Sequence, residues 1–267
     1  MAVIISGSMY LASASVDYPT NHARIGLQNL LKTATITAAY SGDFYPQNAI
    51  DDVTYDFWRP DEGGESITYE AVFDAAYEID YFGIAAHDLG TQGASVALEY
   101  HNGVTWVSLV AETEILDDNT VMVLFSKTFT NRIRFIFQSP TVFSIGVLYI
   151  GKAFAFERPF FLGHRPLVLN RTTAIDSKIT EKGLDVGRYI IKKGATTKIA
   201  VKNQTPTFIR NVFLPLMLEM RTRGFFFAWR PDTYPTDIAF CWSRENVKPK
   251  NNGRLEYMDL DFTVKAI

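Results

Sequence analysis

Apolar and polar residues alternate along much of this chain in short stretches closed by turn formers. SITYEAVFD alternates over Ile67–Phe73, the period of a strand with one buried face. YEIDYFGIAAH, ASVALEYHNGVTWVSLV, NTVMVLFSKTF and NRIRFIFQ follow, each rich in Val, Ile, Phe and Tyr and bounded by Gly, Asn, Asp or Thr. Ile36–Ala39 predicts a short strand upstream, and FSIGVLYIGKAFAF carries the strand signal to about Phe156. Short strands at regular spacing predict an all-β sandwich or barrel. After His101, the pair Asn102-Gly103 predicts a tight type I′ hairpin, whose two central residues take positive φ.

The pattern changes after ERPFFLGHRP, where Pro and Gly cluster. Leu167–Thr173, Thr180–Lys192 and Thr196–Lys202 predict three strands, with KKGAT as the tight turn before the last. TPTFIRNVFLPLMLEMRTRG predicts a helix, because Phe208, Val212, Leu216 and Met220 recur at spacing four. Thr207 is its candidate N-cap, Gly224 its candidate stop, and Pro215 predicts a kink or a split. FFFAWRP, DIAFCWS and LEYMDLDFTVKA then predict closing strands. The expected organisation is an N-terminal arm over 1–18, a first domain over 19–155 and a second over 156–267, with the helix at about 206–223.

Composition narrows the class. The chain has 267 residues, 47% apolar and 21% charged, a globular composition with room for two ordinary domains. Its 20 Phe and 13 Tyr favour pleated surfaces. A net charge of −3, with acids and bases mixed, gives no footprint for nucleic acid or an anionic membrane. Cys241 is the single cysteine, which excludes an intrachain disulfide and a cysteine-based zinc site. MAVIISGSMYLASASV lacks the basic start of a secretion signal, and Ser6, Gly7 and Ser8 interrupt its apolar run. A soluble protein kept in a reducing compartment is expected, without membrane insertion.

Chemical motifs are sparse. His22, His87, His101 and His164 are scattered, and HExxH, GxSxG, the P-loop and the dinucleotide fingerprint are all absent. WRPD occurs at Trp58–Asp61 and again at Trp229–Asp232, with unlike flanks. A Trp to bury, an Arg whose stem covers it and a Pro-Asp turn start make the recurrence one of turn chemistry, not duplication.

YPQNAIDDVTYDFWRP, with ARIGLQNLLKTATITAAYS before it and VALEYHNGVTWVSL after it, resembles the discoidin family of galactose-binding-like domains. The resemblance covers about residues 19–152, and Val96–Trp106 matches that family's later strand motif. It implies a jelly-roll β-sandwich, a structural calcium held by Asn48 and Asp51 with Asp52 beside them, and tip loops that bind sugars. Asp52 stands where the family has Gly, and Val53 where it has Asn or Asp; Asp56 and Asp61 are further oxygen donors nearby. The simpler reading is that Asp51 ties down its own loop and Trp58 plugs the core. Trp58, Arg59 and His87 are the candidate sugar contacts, an aromatic platform with polar partners. No other cofactor is expected.

The order βββ-α-βββ over 157–267, with FFFAWRPDTYPTDIAFCWSRENVK inside it, resembles the sandwich-plus-helix module of long-tailed bacteriophage tails. Together the two resemblances imply a mainly-β structural protein of a siphophage tail tip, a distal tail or baseplate ring component. It would form a ring of copies, most simply a hexamer, assemble in the host cytoplasm, reside in the virion and contact tail tube, tape measure and hub proteins. Host glycans would meet the outer sandwich, and no residue would do bond chemistry. Two alternatives stand beside it. One is a carbohydrate-binding module or adhesin; the other is a cell-wall glycosidase, which needs two facing carboxylates roughly 5 to 9.5 Å apart.

Overall fold

A computed structural model describes residues 3–5, 9–11, 19–160, 165–243, 245, 247–253 and 256–267; His164 and most of the expected N-terminal arm lie outside them. The protein is mainly β, as its alternating pattern implies. Its strands are β1 (Val3–Ile5), β2 (Met9–Leu11), β3 (Arg24–Gly26), β4 (Thr35–Ala38), β5 (Gly64–His87), β6 (Ser95–His101), β7 (Trp106–Glu114), β8 (Val121–Ser139), β9 (Ile145–Gly151), β10 (Phe154–Ala155), β11 (Arg171–Ile179) and β12 (Asp185–Gln204). A helical stretch follows, and then β13 (Phe225–Ala228), β14 (Ile238–Trp242), β15 (Lys250–Asn251) and β16 (Met258–Ala266). One compact unit joins Met1–Pro159 with Arg223–Phe240; the other joins Phe160–Thr222 with Cys241–Ile267. The expected division at 155/156 did not anticipate the return of 223–240 to the first unit.

In the first unit β5 and β8 form one long antiparallel ribbon, from Gly64 opposite Ser139 to Ile84 opposite Val121. A register shift between Val72 and Tyr77 bends it, as bulges do. The two halves then face each other, and Phe82 meets Phe135 edge-on at 5.3 Å. β4 and β6 flank one half, while β9 flanks the other. Between them lies a core that includes Trp58, Tyr69, Phe137, Phe143, Leu148 and Ile150.

Strand alternation gives this sandwich a second buried surface. Val121, Val123 and Phe125 face the main core, and Met122 and Leu124 face the other way. With Tyr81, Val147 and Tyr149 they are covered by Phe226, Ala228, Ile238 and Phe240 of the returning segment. That double cover leaves every residue of β9 buried. A Cβ on Gly83 would lie 2.7 Å from the Phe226 ring, so glycine permits the close approach.

Between β6 and β7 the connection is longer than the expected two-residue turn. Asn102 donates its N–H to Thr105 O (3.1 Å), its Oδ1 accepts from Val104 N and Thr105 N, and of the central pair only Gly103 takes positive φ, at 97°.

In the second unit β11 and β12 form a hairpin, and β12 continues onto β16. KKGAT runs through as strand. The turn lies instead at 180–184, where Gly183 adopts φ 81° and Thr180 N donates to Leu184 O at 2.8 Å. The helical stretch is α1 (Pro206–Phe208), a π turn (Ile209–Phe213) and α2 (Leu214–Met220). Thr205, not Thr207, caps it, its Oγ1 accepting from Phe208 N, with Pro206 at the first helical position. The π turn meets the missing N–H of Pro215 and rotates the stripe, so Ile209, Phe213, Met217 and Met220 are buried while Val212 is exposed. α2 ends at Met220, before the expected stop; a Cβ on Gly224 would meet the Phe240 ring at 2.3 Å. No helix among the described residues is long and apolar enough to cross a membrane.

Candidate functional site

Both ends of the bent ribbon reach the same end of the sandwich, where the loops 39–63, 88–94, 115–120 and 140–144 gather. Glycines let them pack closely: a Cβ on Gly63 would sit 2.7 Å from Thr141, and one on Gly90 2.3 Å from Asp117.

The 39–63 loop is held by its own backbone. Ser41 N donates to Arg59 O (2.9 Å), Phe44 N to Ser41 O (3.0 Å) and Arg59 N to Phe44 O (3.3 Å). Trp58 and Ile145 exchange both main-chain hydrogen bonds, at 2.9 and 3.0 Å. Asn48 staples the loop, its Nδ2 donating to Asp43 O and Phe57 O, both at 3.2 Å. Asp51 Oδ1 accepts from Val53 N at 2.8 Å, closing its own turn.

Asn48, Asp51 and Asp52 do not fit a calcium site, which wants six to eight converging oxygens. Asp52 already faces a cation, Lys32 Nζ at 2.8 Å, and its oxygens also accept from the Tyr149 hydroxyl and from Gly224 N at 3.1 Å. It fastens the returning segment to the sandwich. Among the described residues no three His, Cys, Asp or Glu group as metal ligands.

The expected sugar contacts separate as well. Trp58 is fully buried, edge-on to Tyr69, Phe137 and Phe143 at 5.0, 5.7 and 5.5 Å, and its Nε1 donates to Ala39 O at 2.8 Å. It has no face to offer a ligand; it plugs the core. His87 is also buried. Its Nε2 donates to Asn119 O (2.7 Å) and its Nδ1 accepts from Leu89 N (3.3 Å), the pattern of one neutral tautomer. Burial lowers its pKa, against the pull of the Asn119 bond and of Asp118, Asp117 and Asp88.

Arg59 does reach the surface. Its guanidinium lies 5.0 Å from the rings of both Phe44 and Phe57, and its Nε and Nη2 donate to Ser144 Oγ at 3.2 Å. Among the described residues no acceptor meets Nη1. Ser144 N in turn donates to Asp88 Oδ1 at 2.6 Å, so Asp88, not His87, joins Arg59.

The same loop exposes tyrosines the motifs did not single out. Tyr40 and Tyr45 form a tilted pair at 4.9 Å, each a little under half exposed, and Tyr55 is 78% exposed. The signal was present in YSGDFYP and DVTYDF, where aromatics sit among turn formers and no strand period requires their burial.

No protein-family model and no curated protein matches the chain in sequence. Its fold is similar to several solved structures. A carbohydrate-binding module from Clostridium perfringens, solved with GalNAc-β-1,3-galactose, is 14% identical over 46% of this chain and 99% of its own, with a TM-score of 0.41. A chitosan-binding module from Paenibacillus sp. IK-5 is 14% identical over 46% and 98%, with a TM-score of 0.38. A GH29 fucosidase from Ruminococcus gnavus, solved with fucose, is 18% identical over 48% of this chain and only 27% of its own, with a TM-score of 0.40.

Proposed function

We propose that the protein binds carbohydrate through the 39–63 loop, with Tyr40, Tyr45, Tyr55 and Arg59 as contacts. A hydrogen-bonded loop that exposes three tyrosines and carries the half-exposed Arg59 supports this reading. Sugar rings present an apolar C–H face that stacks on aromatics and hydroxyls that accept from an N–H donor, and a rigid loop loses little entropy on binding. The action is binding and not bond cleavage. A glycan array followed by calorimetry tests it, with Tyr45→Ala, Tyr55→Ala and Arg59→Ala. At least one of the three is expected to weaken the best glycan by about tenfold, while each melts within a few degrees of the wild type. An array without a hit, or binding indifferent to all three, sinks the reading.

A specific observation favours a second, compatible reading, assembly into a tail-tip ring. The β11–β12 hairpin exposes Ile175, Leu184, Val186, Tyr189 and Ile190. A two-stranded ribbon is marginal in water unless its apolar face is covered, and among the described residues no strand pairs the outer edge of β11. Other copies would supply the cover, with tail tube, tape measure and hub proteins above and below, in a virion. Light scattering across concentrations checks it. Ring-sized mass that collapses to the 30.1 kDa monomer in Val186→Lys/Ile190→Lys is expected, and a wild-type monomer throughout removes the reading.

A further inference from the structure

The loop end of the sandwich also holds a cleft of about 880 Å³. It opens where β5 and β6 begin and β7 and β8 end, and Gly64, Ser95, Glu112, Glu114, Gln138 and Ser139 line it. Ser95 Oγ donates to Glu112 Oε1 at 2.7 Å and Gln138 Nε2 to Glu112 Oε2 at 3.1 Å, so the floor is a fixed array of hydroxyl, amide and carboxylate. Glu112 and Glu114 are alternate residues of one strand and stand on one wall, not facing each other as a cleaving pair must.

Hydrogen bonds tie this wall to the tyrosine loop. Ser139 Oγ donates to Thr141 O (2.8 Å), Thr141 Oγ1 to Gln92 Oε1 (2.5 Å) and Gln92 Nε2 to Asp88 Oδ2 (3.4 Å). Asp88 then holds Ser144, which holds Arg59.

We propose that the cleft continues the tyrosine site, so that the ligand is a neutral oligosaccharide with one end on the tyrosines and further sugars in the cleft. The inference rests on the carbohydrate reading of the tyrosine loop. The volume lies in the upper range of small-molecule sites and exceeds what a single sugar fills. Walls of Ser, Gln and Glu match a chain of hydroxyls and leave an apolar ligand's partners unpaired. Among the described residues the lining has two carboxylates and no Lys or Arg, so an acidic glycan meets repulsion there.

The test is calorimetry with neutral gluco-, galacto- and N-acetylchito-oligosaccharides from disaccharide to hexasaccharide, beside oligogalacturonates of equal length. Affinity for one neutral series is expected to rise about tenfold from disaccharide to tetrasaccharide, with no such rise for the oligogalacturonates. A Cβ on Gly64 meets nothing within 4 Å, so Gly64→Trp starts its side chain in open space and obstructs the cleft at this wall. It should erase the length increment and leave disaccharide affinity unchanged; Gln138→Ala should lower the increment without filling the space. A flat length series that still depends on Tyr45 overturns the cleft proposal and spares the tyrosine site. So does an oligogalacturonate that gains as much with length, or a Gly64→Trp protein that folds and keeps the increment. No binding in any series overturns both.

Discussion

Replacing Trp58 by alanine removes the indole from among Tyr69, Phe137 and Phe143 and leaves the Ala39 carbonyl without its donor. A loss of about 3–5 kcal/mol in chemical denaturation is expected, the range for a fully buried large aromatic. Trp58→Phe should lose less, since it keeps most of the packing. Tyr55 lies three residues away in the same loop, and its removal should cost stability within about 0.5 kcal/mol because it is exposed. The sequence offered Trp58 both jobs, core plug and sugar platform. Only the side on which the chain turns decides between them, and a tetrapeptide does not encode that side. Arg59 stays half-exposed, since its guanidinium lies over Phe44 and Phe57 while Ser144 takes its hydrogen bonds. The burial of His87 was not legible: its polar partners, Asn119 O and Leu89 N, come from loops that spacing alone does not bring together.

At the scale of elements, the returning segment is fitted to the sandwich by glycine. Gly83→Ala would push a methyl into the Phe226 ring at 2.7 Å, and Gly26→Ala one into the Tyr81 ring at 2.4 Å. Each is expected to cost about 1–3 kcal/mol, measurable as a lowered denaturation midpoint, as overpacking does in a filled core. An unchanged Gly83→Ala midpoint would mean that Phe226 is not packed on β5. FFFA and DIAFC were readable as strands because their residues are apolar and β-prone. Their partner was not readable, since a strand buried on both faces looks the same against any sheet. The long hairpin shows the converse error. KKGAT has turn composition, yet the ladder of β12 carries the chain straight through it and the turn falls at Gly183. Local propensity lost to strand pairing there, and the helix stripe moved for a similar reason once the π turn was inserted.

Whole-molecule stability should carry the signature of two buried groups with opposite proton linkage. Asp80 accepts from Ala153 N at 2.6 Å, and burial raises its pKa from 3.8 to about 6, against the pull of that bond and of Lys152, Lys127 and Arg24. Between those values the folded chain holds a proton that the unfolded chain has lost. The stability from this group is therefore full below 3.8 and lost as pH rises through about 6, a swing on the order of 3 kcal/mol. His87 works the other way. Burial lowers its pKa from 6.5, so the unfolded chain takes a proton that the folded one refuses, and stability falls as pH drops below 6.5. In the mildly acid range the two slopes oppose, and single variants separate them. Asp80→Asn keeps an oxygen for Ala153 N and removes one slope. It should gain stability over the wild type at about pH 7.5, and the gain should shrink towards about pH 4 as wild-type Asp80 protonates. His87→Gln, which can still donate to Asn119 O, should lose stability at about pH 7.5 and recover part of the loss on acidification. Urea titrations of the three proteins at both pH values measure this. If the Asp80→Asn difference is the same at both, Asp80 titrates at its ordinary value and burial does not raise it.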